Sequence, residues 1–291
     1  MNAEQWQQRA EEKEKSPFEN KDYFDTKESF QKMIKGLRED IENGSIDLVL
    51  GEDASGRIPA IIIGEFIKTI YKKRGFPLKK RFFRFFAGGR GNDPIYKYQG
   101  KYYLQKEFYE QNQNACYLDA QQTKKEDVLL QMLKDLKEKE DVKKILIVTE
   151  YIEHGTSLQL IFELIKKVGL SVKCATMSIA EKPRGEGEED RKNKLSKKFS
   201  IDPKDVIAGN NTIFVHQPTL SGVQKDRSKP FAEPVRFFDK QNKKGQEKIK
   251  TSYKDAFRMI KELVAWYETS DWSGEDAERT LKKEETIITP Q

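Results

Sequence analysis

The run Ile145-Leu146-Ile147-Val148-Thr149-Glu150-Tyr151-Ile152-Glu153-His154-Gly155-Thr156-Ser157-Leu158 constrains this chain more than any other stretch. Four consecutive aliphatic residues read as a strand buried on both faces, the mark of a parallel sheet covered by helices. Glu150 stands at the strand's carboxyl end. Gly155, Thr156 and Ser157 then lead into an amphipathic helix over Leu158 to Val168, with Gly169 as its C-cap. A strand, an acidic tip, a small hydroxyl-rich loop and a helix N-terminus together form a cradle for a sugar phosphate.

The surrounding pattern repeats that unit. Asp25 with Glu28 reads as a capping box, ahead of an apolar stripe at Phe30, Ile34, Leu37 and Ile41 that stops at Asn43-Gly44. Ile46 to Leu50 reads as a strand and Gly51 to Gly56 as a loop. A helix then runs from Arg57 to Lys73 and ends at Gly75 and Pro77. Further strands are predicted over Arg81 to Phe86, Val172 to Ile179 and Thr212 to Val215. Tyr96 to Leu104 reads as a hairpin around Gln99-Gly100, and Cys116 to Leu118 as a return to a sheet. Val128, Leu129, Met132, Leu133 and Leu136 mark a helix before the central run, and Lys182 to Lys198 a solvated charged loop. The fold class is therefore α/β, mainly a parallel sheet with helices on both faces, plus a helical C-terminal extension over Ile249 to Tyr267. The chain divides into a polar segment 1–22, an α/β domain 23–217, a loop and helix 218–269 packing on that domain, and a polar tail 270–291.

Composition narrows the function classes. Net charge is +6, a small difference between 54 basic and 48 acidic residues, so an anionic ligand is favoured weakly and nucleic acid is not called for. Cys116 and Cys174 are the only cysteines, which excludes a disulfide framework. With only His154 and His216 besides, a structural zinc site is implausible. No stretch approaches the ~20 apolar residues of a membrane span, and Met1 to Lys15 has no apolar leader, so a cytoplasmic compartment fits best.

Two loops carry chemistry. Gly155, Thr156 and Ser157 offer convergent N–H donors, close backbone approach and hydroxyls where a helix dipole adds positive potential. Glu150 is placed for ribose hydroxyls or a metal bound to them, and Glu153 for a base. Ala54-Ser55-Gly56-Arg57 also opens a helix after a strand, and a guanidinium forks onto phosphate oxygens.

Val148 to Ser157 resembles the phosphoribosyl-diphosphate (PRPP) binding motif of the type I phosphoribosyltransferases: an aliphatic strand, two acids, two aliphatics, a variable position and T-G-x-T. Thr149 stands at the first acidic position and Glu150 matches the second. Tyr151 and Ile152 take the aliphatic pair and Glu153 the variable position. His154 replaces the first threonine, Gly155 matches, Thr156 is the free position and Ser157 replaces the last threonine. The resemblance covers roughly residues 30 to 217. It implies 5-phosphate binding by His154, Gly155, Thr156 and Ser157, and pyrophosphate binding by Ala54, Ser55, Gly56 and Arg57. It also implies catalytic roles for Glu150 and Glu153, and Mg²⁺ carried in with PRPP, with Glu150 as an added ligand. Tyr96 to Leu118 would be a cover over the site, with Lys97, Lys101 and Lys106 reaching the phosphates. The partners implied are PRPP and an unidentified base or small-molecule acceptor, with a homodimer left open.

Other readings stand beside these. Taken out of the motif, Glu150 and Glu153 are solvated loop acids, and Ser55-Gly56-Arg57 is a helix cap with an exposed arginine. His154 binds phosphate, acts as an acid or faces water. His216 reads as a structural histidine. The run Lys79 to Phe86 suits a core strand better than a base-stacking surface. Two further functions remain: a non-catalytic PRPP or nucleotide sensor of the same fold, and a nucleotide-directed hydrolase or effector.

Overall fold

A computed structural model describes residues 22–53, 56–79, 82–88, 94–98, 101–104, 121–180, 187–210, 222–224, 230–231, 233–234 and 243–272. The main sheet holds β1 (Leu48–Asp53), β2 (Phe83–Ala87), β6 (Lys144–Ile152), β7 (Ser171–Ile179) and β8 (Val206–Ala208). They lie side by side in the order β2-β1-β6-β7-β8, and every pair is parallel. A separate antiparallel sheet is inserted between β2 and β6. It holds β3 (Pro94–Tyr98), β4 (Lys101–Leu104) and β5 (Gln121–Lys124).

Both faces of the main sheet are buried, and strict alternation along each strand shares residues between them. Leu146 and Val148 join Val49, Ala175 and Met177 on one face. This face is covered by α1 (Asp22–Gly36), α2 (Arg38–Glu42), α3 (Arg57–Arg74) and α7 (Lys243–Thr269). Ile145 and Ile147 join Leu48, Leu50 and Cys174 on the other, under α4 (Lys125–Glu140), α5 (Thr156–Val168) and α6 (Glu188–Phe199). The paired phenylalanines of β2 follow the same rule: Phe86 enters the second cluster, while Phe83 and Phe85 pack on the first. The long C-terminal helix α7 docks on α3, where Tyr267 meets the Phe66 ring edge-on at 5.4 Å. Among the described residues no helix is long and apolar enough to cross a membrane.

Several boundaries differ from the sequence reading, for physical reasons. The first helix begins at Asp22, so Asp25 lies inside it and caps nothing. β1 does not end at Leu50 but continues through Gly51, Glu52 and Asp53, all buried. Gly51 permits this because a Cβ there would lie 2.7 Å from both Ala60 and Phe85. β6 likewise extends to Ile152, taking Thr149 and Glu150 into the sheet with no exposure. The charged stretch read as a loop contains α6, anchored by the buried pair Leu195 and Phe199. The fifth strand is Val206–Ala208, earlier than expected; residues 212 to 215 lie outside the described residues. The hairpin is present as β3 and β4. Residues 116 to 118 fall outside the described set, and β5 is the strand that pairs with β3 on its other side.

Candidate functional site

Numbered by chain order within the main sheet, the strands run 2-1-3-4-5, which puts the topological switch point between β1 and β6. In open α/β sheets the crevice for a ligand lies beyond the carboxyl ends of the strands at that point. Here it has a visible cause. The β1–β6 ladder stops at Gly51 opposite Val148, whereas β6 stays paired with β7 as far as Ile152. Gly56 fills the gap that opens. A Cβ on it would lie 2.6 Å from the Glu52 carbonyl oxygen, and 3.0 Å from both Thr149 Cα and the Val148 carbonyl oxygen. The turn after β1 therefore rests directly on the strand that carries the second loop.

The acids at this edge divide between the two faces. The Thr149 hydroxyl donates to Glu52 Oε2 at 2.7 Å, so a carboxylate from β1 sits against the position where the motif has its first acid. Gly88, just past β2, lies beside the same group: its Cβ would be 2.2 Å from Glu52 Oε1 and 2.8 Å from the Ser157 carbonyl oxygen. The buried Lys125 ammonium donates to the Gly88 carbonyl at 3.2 Å. On the opposite face Arg57 grips Asp53 with two parallel bonds, Nε to Oδ1 and Nη2 to Oδ2, each 2.8 Å. Its guanidinium lies 4.3 Å from the centre of the Phe85 ring. Tyr253 of α7 hydrogen-bonds the same arginine; burial raises that phenol's pKa, with Arg57 acting against the rise. A phosphate reaching Arg57 must therefore exchange with Asp53 or share the fork with it. Glu150 is fully buried two residues before the end of β6, and its carbonyl accepts from the Thr176 hydroxyl at 3.2 Å.

The second loop has a different character. Gly155 adopts φ +67°, is buried, and packs on Phe199 and Leu195 of α6. Glu153 and His154 just before it are each 65% exposed, with His154 Nε2 3.5 Å from Glu153 Oε1. In this conformation the bulky ring stands in solvent and leaves the loop mouth accessible. Helices α3 and α5 both start from a glycine, with no side-chain cap and no acid in the first turn. By contrast α4 and α6 carry acids in theirs. Caps and first-turn acids satisfy free N–H groups and the dipole, so neither α3 nor α5 has its positive end offset by its own first turn. Lys198 leans over from α6: its ammonium donates to the His154 carbonyl and, at 3.0 Å, to the Thr156 hydroxyl.

Of the residues singled out from sequence, Gly56 lies against Val148 and Thr149 of β6, Arg57 is held by Asp53 in the next turn, Glu150 is buried within β6, and Glu153 to Ser157 lead from that strand into α5. Ala54 and Ser55 lie outside the described residues, as do His216 and Lys106, and the side chains of Lys97 and Lys101. Glu52, Asp53, Lys198 and Tyr253 were not anticipated. The spacing of Asp53 and Arg57, four apart across a strand-to-helix turn, was a usable signal for one pair. Leu195 and Phe199, also four apart, could have shown that Lys198 rides on a helix. Among the described residues no group of three or more His, Cys, Asp or Glu is arranged to hold a metal ion.

No family model matches the chain, and no curated protein does. Solved structures similar to it include a purine phosphoribosyltransferase from Pyrococcus horikoshii Ot3, at 17% identity and TM-score 0.25, covering 52% of this chain and 72% of that one. Another is an orotate phosphoribosyltransferase from Aeropyrum pernix, at 13% identity and TM-score 0.28, covering 62% and 67%. Similarity at this level leaves the fold to be defined by the chain's own strand order.

Proposed function

We propose that this chain is a phosphoribosyltransferase-like protein that binds PRPP across the β1/β6 crevice. It transfers the ribosyl 5-phosphate group to an acceptor and releases pyrophosphate. The observation that carries the reading is Gly56 resting on Val148 and Thr149, which sets the glycine-headed start of α3 against the strand that leads into the glycine-headed start of α5, at a switch point. One start, at Gly155, takes the 5-phosphate on backbone N–H groups. The other, with Ser55, Gly56 and Arg57, takes the diphosphate. The acceptor's lone pair forms a bond to ribose C1 as the C1–oxygen bond breaks and the electron pair leaves with pyrophosphate. The protein's contribution is orientation and charge stabilisation. Glu153, exposed beside the loop, takes the acceptor's proton. Mg²⁺ enters only as part of the PRPP ligand.

PRPP with Mg²⁺ is expected to raise the melting temperature by on the order of 5 °C at ligand near a hundred times Kd. Gly155→Asp puts an anion in the cradle and should remove that shift; an unchanged shift would mean the loop does not hold the phosphate. Pyrophosphate release, screened against a panel of bases, then tests transfer. Glu153→Gln should keep the thermal shift while lowering turnover about a hundredfold. Full turnover in that variant removes Glu153 from the chemistry.

A second reading, a PRPP or nucleotide sensor without turnover, is favoured by one observation. Arg57 is already saturated on two of its bonds by Asp53 and held further by Tyr253 of the C-terminal helix. Binding without pyrophosphate release across the whole base panel selects this reading.

A further inference from the structure

Independently of what the crevice binds, we infer that the outward face of α7 is a binding surface for single-stranded nucleic acid. A row of cations holds the phosphate backbone, and Phe257 stacks on a base. The helix turns Ala256, Met259, Ile260, Leu263 and Tyr267 into the first core, where it packs on α3. The face turned away carries Lys250, Lys254, Phe257, Arg258 and Lys261, all exposed. Neighbouring charges in that row are three or four residues apart, so they line one side of the helix over about 16 Å.

Two features separate this face from an ordinary solvated one. The first is its sign. The chain as a whole nearly balances 54 basic against 48 acidic residues, and other lysines bordering α7 are paired, Lys27 with Glu262 at 2.8 Å and Lys73 with Glu268 at 2.6 Å. Among the described residues Lys250, Lys254 and Lys261 make no ion pair. Between Glu247 and Glu268 no acid on α7 is exposed: Asp255 is buried 3.4 Å from Arg258, and Glu262 is held by Lys27. Like charges one turn apart repel and weaken a helix, so the row opposes its own element until an anion lies along it. Net charge conceals such a footprint; distribution reveals it. The second feature is Phe257 itself. It is 51% exposed, and among the described residues Tyr151 is the only other large hydrophobic side chain left exposed. It stands one turn from Lys254 on one side and from Lys261 on the other. An aromatic ring flanked by cations holds an unpaired base by its face and the neighbouring phosphates by charge. A duplex hides its base faces, which selects a single strand. A bilayer fits less well, because an interfacial helix sinks a broad apolar face and this one offers a single ring.

The test is fluorescence anisotropy on the full chain with labelled oligothymidylate and oligouridylate of about 12 nucleotides, titrated at several salt concentrations. Replacing Lys250, Lys254 and Lys261 together by Gln should weaken binding more than tenfold at low salt. It should also flatten the plot of log affinity against log salt by about 2, since each single-strand phosphate contact contributes roughly 0.7. Phe257→Ala should weaken binding about tenfold with the salt slope unchanged, and Phe257→Trp should restore it. Melting temperatures should not move, because every altered side chain is exposed. A control triple variant, Lys134→Gln with Lys167→Gln and Lys197→Gln, removes the same charge from exposed positions on α4, α5 and α6 and should bind like wild type. Equal losses in the two triple variants would overturn the inference, since binding would then follow total charge. Full affinity in Phe257→Ala would overturn it as well, by removing the stacked base. So would a wild type that binds neither strand at low salt, including one that instead binds phosphatidylserine vesicles through the same lysines.

Discussion

A single methyl group added at residue 56 is expected to destabilise the protein by about 1–3 kcal/mol and to remove its response to PRPP. Gly56 has φ −76° and ψ −2°, a conformation alanine adopts freely, so Gly56→Ala tests space alone. The atoms the methyl would meet at 2.6 to 3.0 Å are backbone atoms of Glu52, Val148 and Thr149, held by the sheet. None of them can swing aside as a side-chain end could. Relief requires moving the turn away from β6, which separates the two helix starts that the proposed ligand must bridge. Urea unfolding should show a lower midpoint with an unchanged slope. Gly75→Ala is the control: it has nothing within 4 Å of a new Cβ but sits at φ +73°, so it strains the backbone far from the crevice. Gly75→Ala should lose comparable stability and keep the PRPP shift. A full shift in Gly56→Ala would show that the two loops do not share a site.

The contrast between these glycines also marks what the sequence could reveal. Residues buried among apolar neighbours announced themselves: Ile145 to Val148 alternates between two cores, and Gly169 ends α5 in the left-handed conformation where a glycine was expected to. The errors cluster where polar residues are buried. Glu52, Asp53, Thr149 and Glu150 look like loop residues, yet all lie inside strands. Glu52 accepts a hydrogen bond from Thr149, remote in sequence, and no local pattern encodes that pairing. Asp53 differs, since its partner Arg57 is four residues away and the pair was readable. Helix α6 was hidden for the opposite reason: Leu195 and Phe199 are its only large apolar anchors in a run of charges, and the first-turn acids that start it resemble a solvated loop. The β1/β6 crevice was legible as two motifs, but their contact through Gly56 required the fold.

The opposite edge of the sheet offers a prediction independent of any ligand. Asp40 on α2 is buried, with the ammonium of Lys144 from β6 against one carboxylate oxygen and that of Lys173 from β7 2.7 Å from the other. Ser45 adds a hydroxyl donor at 2.8 Å. Burial alone would raise the Asp40 pKa, but Lys144, Lys173 and Ser45 together outweigh it and hold the carboxyl below its ordinary 3.8. Lys173 moves the other way: burial would lower its pKa, and Asp40, with Asp205 behind it, holds it above 10.5. A carboxylate with a depressed folded-state pKa stabilises the protein above its unfolded value, and that contribution is lost as pH falls through the folded one. Asp40→Asn leaves Lys144 facing a neutral amide and Lys173 with only Asp205, 3.4 Å away, and the expected loss at pH 7 is about 2 kcal/mol. The gap between wild type and variant should narrow as pH drops below about 4, because wild-type Asp40 is then being neutralised as well. Urea midpoints measured from pH 7 down to pH 3 read the gap directly. A gap that stays constant across that range would mean the cluster acts through packing and not through charge. The PRPP shift should survive Asp40→Asn, since Asp40 lies at the amino-terminal edge of the sheet and the crevice opens at the carboxyl-terminal one.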